Sequence, residues 1–197
     1  TARYYTPSGR CIQKIYTPGS LKSYDMEIVN RYNNGEVFSA DSVHLDKSKE
    51  FHTLGGRVVY GGGGIMPDVF VPNDTTGLST YYLNVLNAGL MQKYAFHYTD
   101  MERARLQQAS NVTELMRLLP SDDTLLQDFA LYARDTEGIA PRWYYINISR
   151  DLIVSQLKAL IARDMLGSSA FYEVYNVSDP MIMRAEKVFG TGLQGSR

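Results

Sequence analysis

The hydrophobic patterning of this chain changes character near Gly77, and that change sets what it can fold into. Upstream lie nine of the 16 glycines and four of the seven prolines, among short apolar runs rather than long helical stripes. Downstream, apolar residues recur at helical spacing almost throughout. The pattern predicts an α+β protein, with a β-rich segment over residues 1–76, an all-helical subdomain over 77–190 and a flexible tail over 191–197.

In the first segment, Arg3–Tyr5 and Cys11–Tyr16 read as strands around the turn Pro7-Ser8-Gly9, where proline fixes φ and glycine permits a left-handed turn. Residues 20–33 predict a helix capped by Ser20, with Tyr24, Ile28, Val29 and Tyr32 on one face. Arg57–Tyr60 and Val69–Val71 are two further β-rich runs, giving the order strand, insertion, strand, strand. No internal repeats are evident.

Ser79 is placed to cap a helix carrying Leu83, Leu86, Leu90 and Tyr94 at helical spacing. Asn111 with Glu114 in the third position resembles a capping box ahead of Leu115, Leu118 and Leu119, and Pro120 ends that helix. Ser121-Asp122-Asp123 opens the next one with acids at the positive end of the dipole. Leu125, Leu126, Phe129, Ala130 and Ala133 form its buried side, and Gly138 lies past its end. The clearest stripe runs from Ser149 to Leu166, through Leu152, Ile153, Leu157, Leu160 and Ile161, and stops at Gly167. Asp179-Pro180 opens a last helix through about Val188.

The net charge of −1 lacks the concentrated basic surface that nucleic-acid binding requires. No window reaches the roughly 18 apolar residues of a membrane span. With one cysteine, Cys11, neither an internal disulfide nor a multi-cysteine metal site is expected. His44, His52 and His97 are widely separated and lack metal-ligand spacing, so no metal and no cofactor is expected. Gly61–Gly64 is followed by Ile65-Met66-Pro67-Asp68 rather than the Lys and helix of a phosphate loop, and reads as a tight connection between strands. Sequons at Asn73, Asn111, Asn147 and Asn176 read mainly as capping residues at helix entrances. Tyr81-Tyr82 and Tyr144-Tyr145 read as packed rings with their hydroxyls at the surface rather than as the lining of a groove.

Two runs resemble a known family. Tyr4-Tyr5-Thr6-Pro7-Ser8-Gly9-Arg10-Cys11-Ile12-Gln13 resembles the strand–turn–strand that follows the catalytic lysine in C-terminal processing (tail-specific) serine peptidases. Gly63-Gly64-Ile65-Met66-Pro67-Asp68-Val69 resembles the run that comes next in that family. In many members the two are nearly adjacent. Here Lys14–Gly62 separates them, an insertion centred on about 17–56 that resembles the Bacteroidetes-type variant, as does the helical extension.

The resemblance implies that the chain is the C-terminal part of an exported, envelope-facing serine endopeptidase. Its core strands would end at about residue 76. It implies a serine nucleophile activated by a neutral lysine, with both residues, the peptide-recognising module and the oxyanion donors upstream of Thr1. No catalytic, cofactor-binding or metal residue is then expected in this chain, and substrate would meet the upstream region. Ser8 falls in the turn after the family's lysine and Lys14 in the following strand, so neither is the nucleophile or the base. Tyr5, Thr6, Pro7, Ser8, Gly9, Arg10, Ile12, Gln13, Gly63, Gly64, Ile65, Pro67 and Asp68 would be architectural. A chain opening inside a strand would leave an unpaired N-terminal edge, and self-association through that edge is expected. The competing readings are a non-enzymatic binding or scaffold protein acting through its helices, and a pseudo-peptidase.

Overall fold

Two hairpin turns of the same design organise the first part of the chain. A computed structural model describes residues 3–13, 19, 21–42, 48–61, 64–65 and 67–190, with the backbone alone at 21, 23, 24 and 40. It divides into two compact units, Thr1–Asp74 and Thr75–Arg197. The protein is α+β: a small antiparallel sheet in the first unit and helix through most of the second. No helix among the described residues is long and apolar enough to cross a membrane.

In the first turn the Thr6 amide donates to the Arg10 carbonyl and the Gly9 amide to the Thr6 carbonyl, both at 2.9 Å. Gly9 sits at φ 80°, where a β-carbon is unfavourable. The second turn repeats this arrangement with Thr53, Gly56 and Arg57: Thr53 N–H to Arg57 C=O and Gly56 N–H to Thr53 C=O, again 2.9 Å, with Gly56 at φ 78°. Both are three-residue loops closed by a glycine bulge, and both have the sequence Thr-x-x-Gly-Arg.

The hairpins differ in reach. The first is held by one bridge, Tyr5 to Cys11, together with Ile12 N–H to the Tyr4 carbonyl, rather than by the full strands expected; positions 14–16 of the second strand lie outside the described residues. The second pairs β1 (Glu50–His52) with β2 (Val58–Tyr60) in the register Glu50 to Tyr60, Phe51 to Val59 and His52 to Val58. Val69–Val71, expected as a further strand, forms none. The sheet is built instead from within the insertion, because a three-residue loop places β1 against β2 at far smaller entropic cost than a longer closure.

Helix α1 (Leu21–Asn33) forms where no Gly or Pro interrupts, and Gly35 at φ 80° follows its end. Ser20, expected as its cap, and the Tyr24 side chain lie outside the described residues. The face expected to be buried is not: Ile28 is 79% exposed, and Val29 and Tyr32 are also exposed. Tyr32 meets Phe38 edge-on at 5.2 Å, and Arg31 pairs with Glu36 at 2.8 Å.

The second unit contains α2 (Thr80–Asn87), α3 (Leu90–Met101), α4 (Arg103–Leu106), α5 (Val112–Leu118), α6 (Asp122–Glu137), α7 (Trp143–Ile148), α8 (Arg150–Leu166), α9 (Ser168–Tyr175) and α10 (Pro180–Gly190). The tail over 191–197 lies outside the described residues. Helix α8 is the hub, packed most extensively against α9 and α3. Ile153, Val154, Leu157, Ala159, Leu160, Ile161 and Ala162 are buried around nearly its whole circumference, as a central helix requires. Leu152, expected in its stripe, is exposed. The buried side of α6 is Leu125, Leu126, Phe129, Ala130 and Ala133, as its spacing predicts. Gly138 ends that helix in the left-handed conformation at φ 68°.

The helix expected from Ser79 through Tyr94 is broken. Gly89 at φ 65° divides it into α2 and α3. The break re-phases the faces, so Leu83 and Leu86 are 41% and 40% exposed while Tyr81, Tyr82, Val85, Leu90, Met91 and Tyr94 are buried. Helices α7 and α9, for which the sequence reading gave no signal, are short.

The α5 entrance is a shifted capping box. Asn111 Oδ1 accepts from Glu114 N–H at 2.9 Å, but the Glu114 carboxylate reaches back to the N–H and hydroxyl of Ser110, each at 2.9 Å. These bonds hold the Glu114 carboxyl below the ordinary carboxylate range, with the Ser110 backbone N–H the largest cause. A depressed folded-state pKa contributes stability that is complete above the unfolded pKa and lost as pH falls through the folded one. Glu114 is therefore expected to titrate by NMR below the ordinary glutamate value. Glu114→Gln should remove its share of the acid sensitivity of α5. A Glu114 titration at or above the ordinary glutamate value would contradict the capping role.

Candidate functional site

Among the family-like residues of the first run, Arg10 makes a long-range side-chain contact. Thr6 Oγ1 lies 2.9 Å from Ser8 Oγ, a contact that explains Ser8 as turn chemistry. Arg10 Nη1 donates to the Tyr60 carbonyl at 3.3 Å, a link across 50 positions of sequence. Gly61 is buried beside it: a β-carbon there would lie 2.8 Å from the Phe51 ring and 3.4 Å from Arg10 Cγ. Glycine is thus required by close approach rather than by its dihedral angle. Arg10 Nε and Gln13 Oε1 are buried without a hydrogen-bond partner.

Tyr5 and Pro7 are exposed, Gly9 closes the turn, and Ile12 is half-buried. Gly63 lies outside the described residues. Gly64 has φ 93° with open space around it, a left-handed conformation that favours glycine, and no strand follows at Val69–Val71. Ile65, Pro67 and Asp68 are exposed. Asp68 Oδ2 pairs with Arg57 Nη1 at 2.8 Å, tying the second run to the second turn. The structure thus joins the first run to the residues leading into the second, and the second run to the β1–β2 hairpin.

His44 lies outside the described residues, His52 is an exposed side chain 3.6 Å from Glu50, and His97 stacks on Tyr132 at 5.4 Å. Among the described residues no three His, Cys, Asp or Glu side chains are grouped to hold a metal. Asn111 is a helix cap, whereas Asn147 lies in the last turn of α7 rather than at a helix entrance.

The helical unit has a cleft of its own, about 130 Å³, lined by Tyr82, Leu152, Ser155, Gln156, Tyr175, Ser178, Asp179 and Pro180. The Tyr82 hydroxyl donates to Gln156 Oε1 at 3.1 Å. Burial, and then the neighbouring Tyr175, raise the Tyr82 phenol above its usual range, so it stays neutral at physiological pH. Tyr82, expected from the sequence as a packed ring, is buried and also lines this groove. One signal was present: Ser155-Gln156 interrupts the apolar stripe of α8 with polar groups. Burial pushes the Tyr81 phenol up to about 12, and its hydroxyl is buried and unpartnered rather than at the surface.

A family of unknown function, DUF8443, matches residues 81–167. That span lies wholly inside the helical unit. No curated protein and no solved structure matches the chain.

Proposed function

We propose that this chain is the C-terminal portion of a serine endopeptidase of the C-terminal processing type, exported to the cell envelope, with its catalytic serine and lysine upstream of Thr1. In the parent, the serine Oγ attacks the scissile carbonyl as a neutral lysine amine takes its proton; the lysine ammonium gives that proton to the departing amine as the C–N bond breaks, and water then hydrolyses the acyl-enzyme. The residues of this chain would shape the connections of the core. The observation that supports the reading best is Arg10 against Tyr60 and Gly61. An insertion in a folded core must return near where it left, and these contacts set Arg10, just before the insertion, against Tyr60 and Gly61, near its end.

A second reading is a non-enzymatic binding or scaffold protein acting through its helices, the part of the chain where the match to a family of unknown function lies, at residues 81–167. One experiment separates the two. The protein is produced with its encoded upstream residues and incubated with an unstructured protein substrate. Cleavage that is abolished by replacing an upstream lysine with alanine is expected. An upstream sequence without a serine and lysine pair, or an inert extended protein, would leave the scaffold reading or a pseudo-peptidase.

A further inference from the structure

We propose that the cleft between α2, α8 and the α9–α10 connection binds the side chain of an arginine presented by another polypeptide. This inference stands apart from the peptidase reading. At about 130 Å³ the cleft is smaller than the roughly 300–1,000 Å³ of cofactor and drug-sized sites, and it suits one side chain. Among the described residues, Asp179 is the only acidic or basic side chain that lines it. The Asp179 Oδ1 accepts from the N–H groups of Met181 and Ile182, at 2.7 and 3.1 Å. The second carboxylate oxygen has no protein donor among the described residues.

The start of α10 would otherwise attract an anion, but its donors are spent. Pro180 has no N–H, Met181 and Ile182 bond the Asp179 side chain, and Met183 N–H bonds the Asp179 carbonyl at 2.9 Å. What remains in the cleft is an acceptor-only carboxylate oxygen, the hydroxyls of Ser155, Ser178 and Tyr82, which can accept, and the Gln156 amide. Its walls include two aromatic rings, Tyr82 and Tyr175, the latter stacked on Phe171 at 5.3 Å. Acceptors, one negative charge and aromatic faces favour a flat, donor-rich cation, and guanidinium is that group.

The test uses the full chain and two probes, N-acetyl-arginine methylamide and its neutral analogue N-acetyl-citrulline methylamide, titrated by NMR. The arginine probe should shift signals of Tyr82, Gln156 and Tyr175, with the citrulline probe at least about tenfold weaker. Binding should weaken with added salt. Asp179→Asn keeps the helix cap, because asparagine caps as well as aspartate, and should weaken the arginine probe about tenfold. Equal binding of the two probes, undiminished binding by Asp179→Asn, no shift at the highest soluble probe concentration, or displacement by inorganic phosphate would each overturn the proposal. The probe comparison needs no variant, so it stands even if a substitution disturbs the fold.

Discussion

Phe129→Ala is expected to destabilise the helical unit by about 3–5 kcal/mol, the cost of a large cavity at a fully packed site. Phe129 is fully buried on α6 and meets Tyr94 of α3 edge-on at 5.4 Å. Domains of this size hold roughly 5–15 kcal/mol in total, so the loss is a large share. It should lower the melting temperature on the order of 10 °C or more. Leu83→Ala is the control. Leu83 belongs to the stripe expected from the sequence but is exposed, so its loss should stay within about 0.5 kcal/mol. Thermal melts followed by circular dichroism compare the two directly. A Leu83 variant as damaged as the Phe129 variant would mean that α2 and α3 are continuous after all.

Ser149→Ala is expected to cost about 2–3 kcal/mol although it removes one oxygen. Ser149 is fully buried, its hydroxyl donates to the Gly77 carbonyl at 2.6 Å, and it accepts from Ser79 N–H at 3.0 Å. The two serine hydroxyls lie 2.7 Å apart, and Ser79 Oγ also accepts from Tyr82 N–H as the cap of α2. Alanine at 149 leaves a buried N–H and a carbonyl unpaired, which costs more than the bonds contributed. Ser79→Ala alone should cost about 1 kcal/mol, the usual value of a cap. Because the two share one network, the double variant should cost less than the two single losses added. Urea midpoints at unchanged m-value measure all three. Strict additivity would show that the latch does not act as a unit.

Local chemistry was the legible part of this sequence. Ser79, Asn111, Ser121 and Asp179 each accept from backbone N–H groups at a helix start, because capping depends on neighbours within four residues. The buried side of α6 was equally readable, since one uninterrupted helix keeps a single phase. Where a break intervened the phase was lost: Gly89 turned the Leu83–Leu86 stripe to the outside. Long-range pairing was not legible. Residues 58–60 could pair with any extended run, and β1, masked by its polar neighbours, lies within the insertion. Of the candidate site, the Thr6–Gly9 turn was read from proline and glycine chemistry. The Arg10 contact with Tyr60 depends on closure over 50 residues that no local pattern encodes. The Asp179 cleft was visible only as a cap, because its aromatic walls come from α2 and the end of α9.

The central claim, that this chain belongs to a serine peptidase whose nucleophile lies outside it, is tested most directly by covalent labelling with a serine-reactive phosphonate, read by peptide mass spectrometry. The chain alone should carry no label. The protein extended by its encoded upstream residues should carry one, on an upstream serine, lost when that serine becomes alanine. Labelling of Ser8 or any other serine among residues 1–197, or an extended protein that never takes the label, would contradict the account.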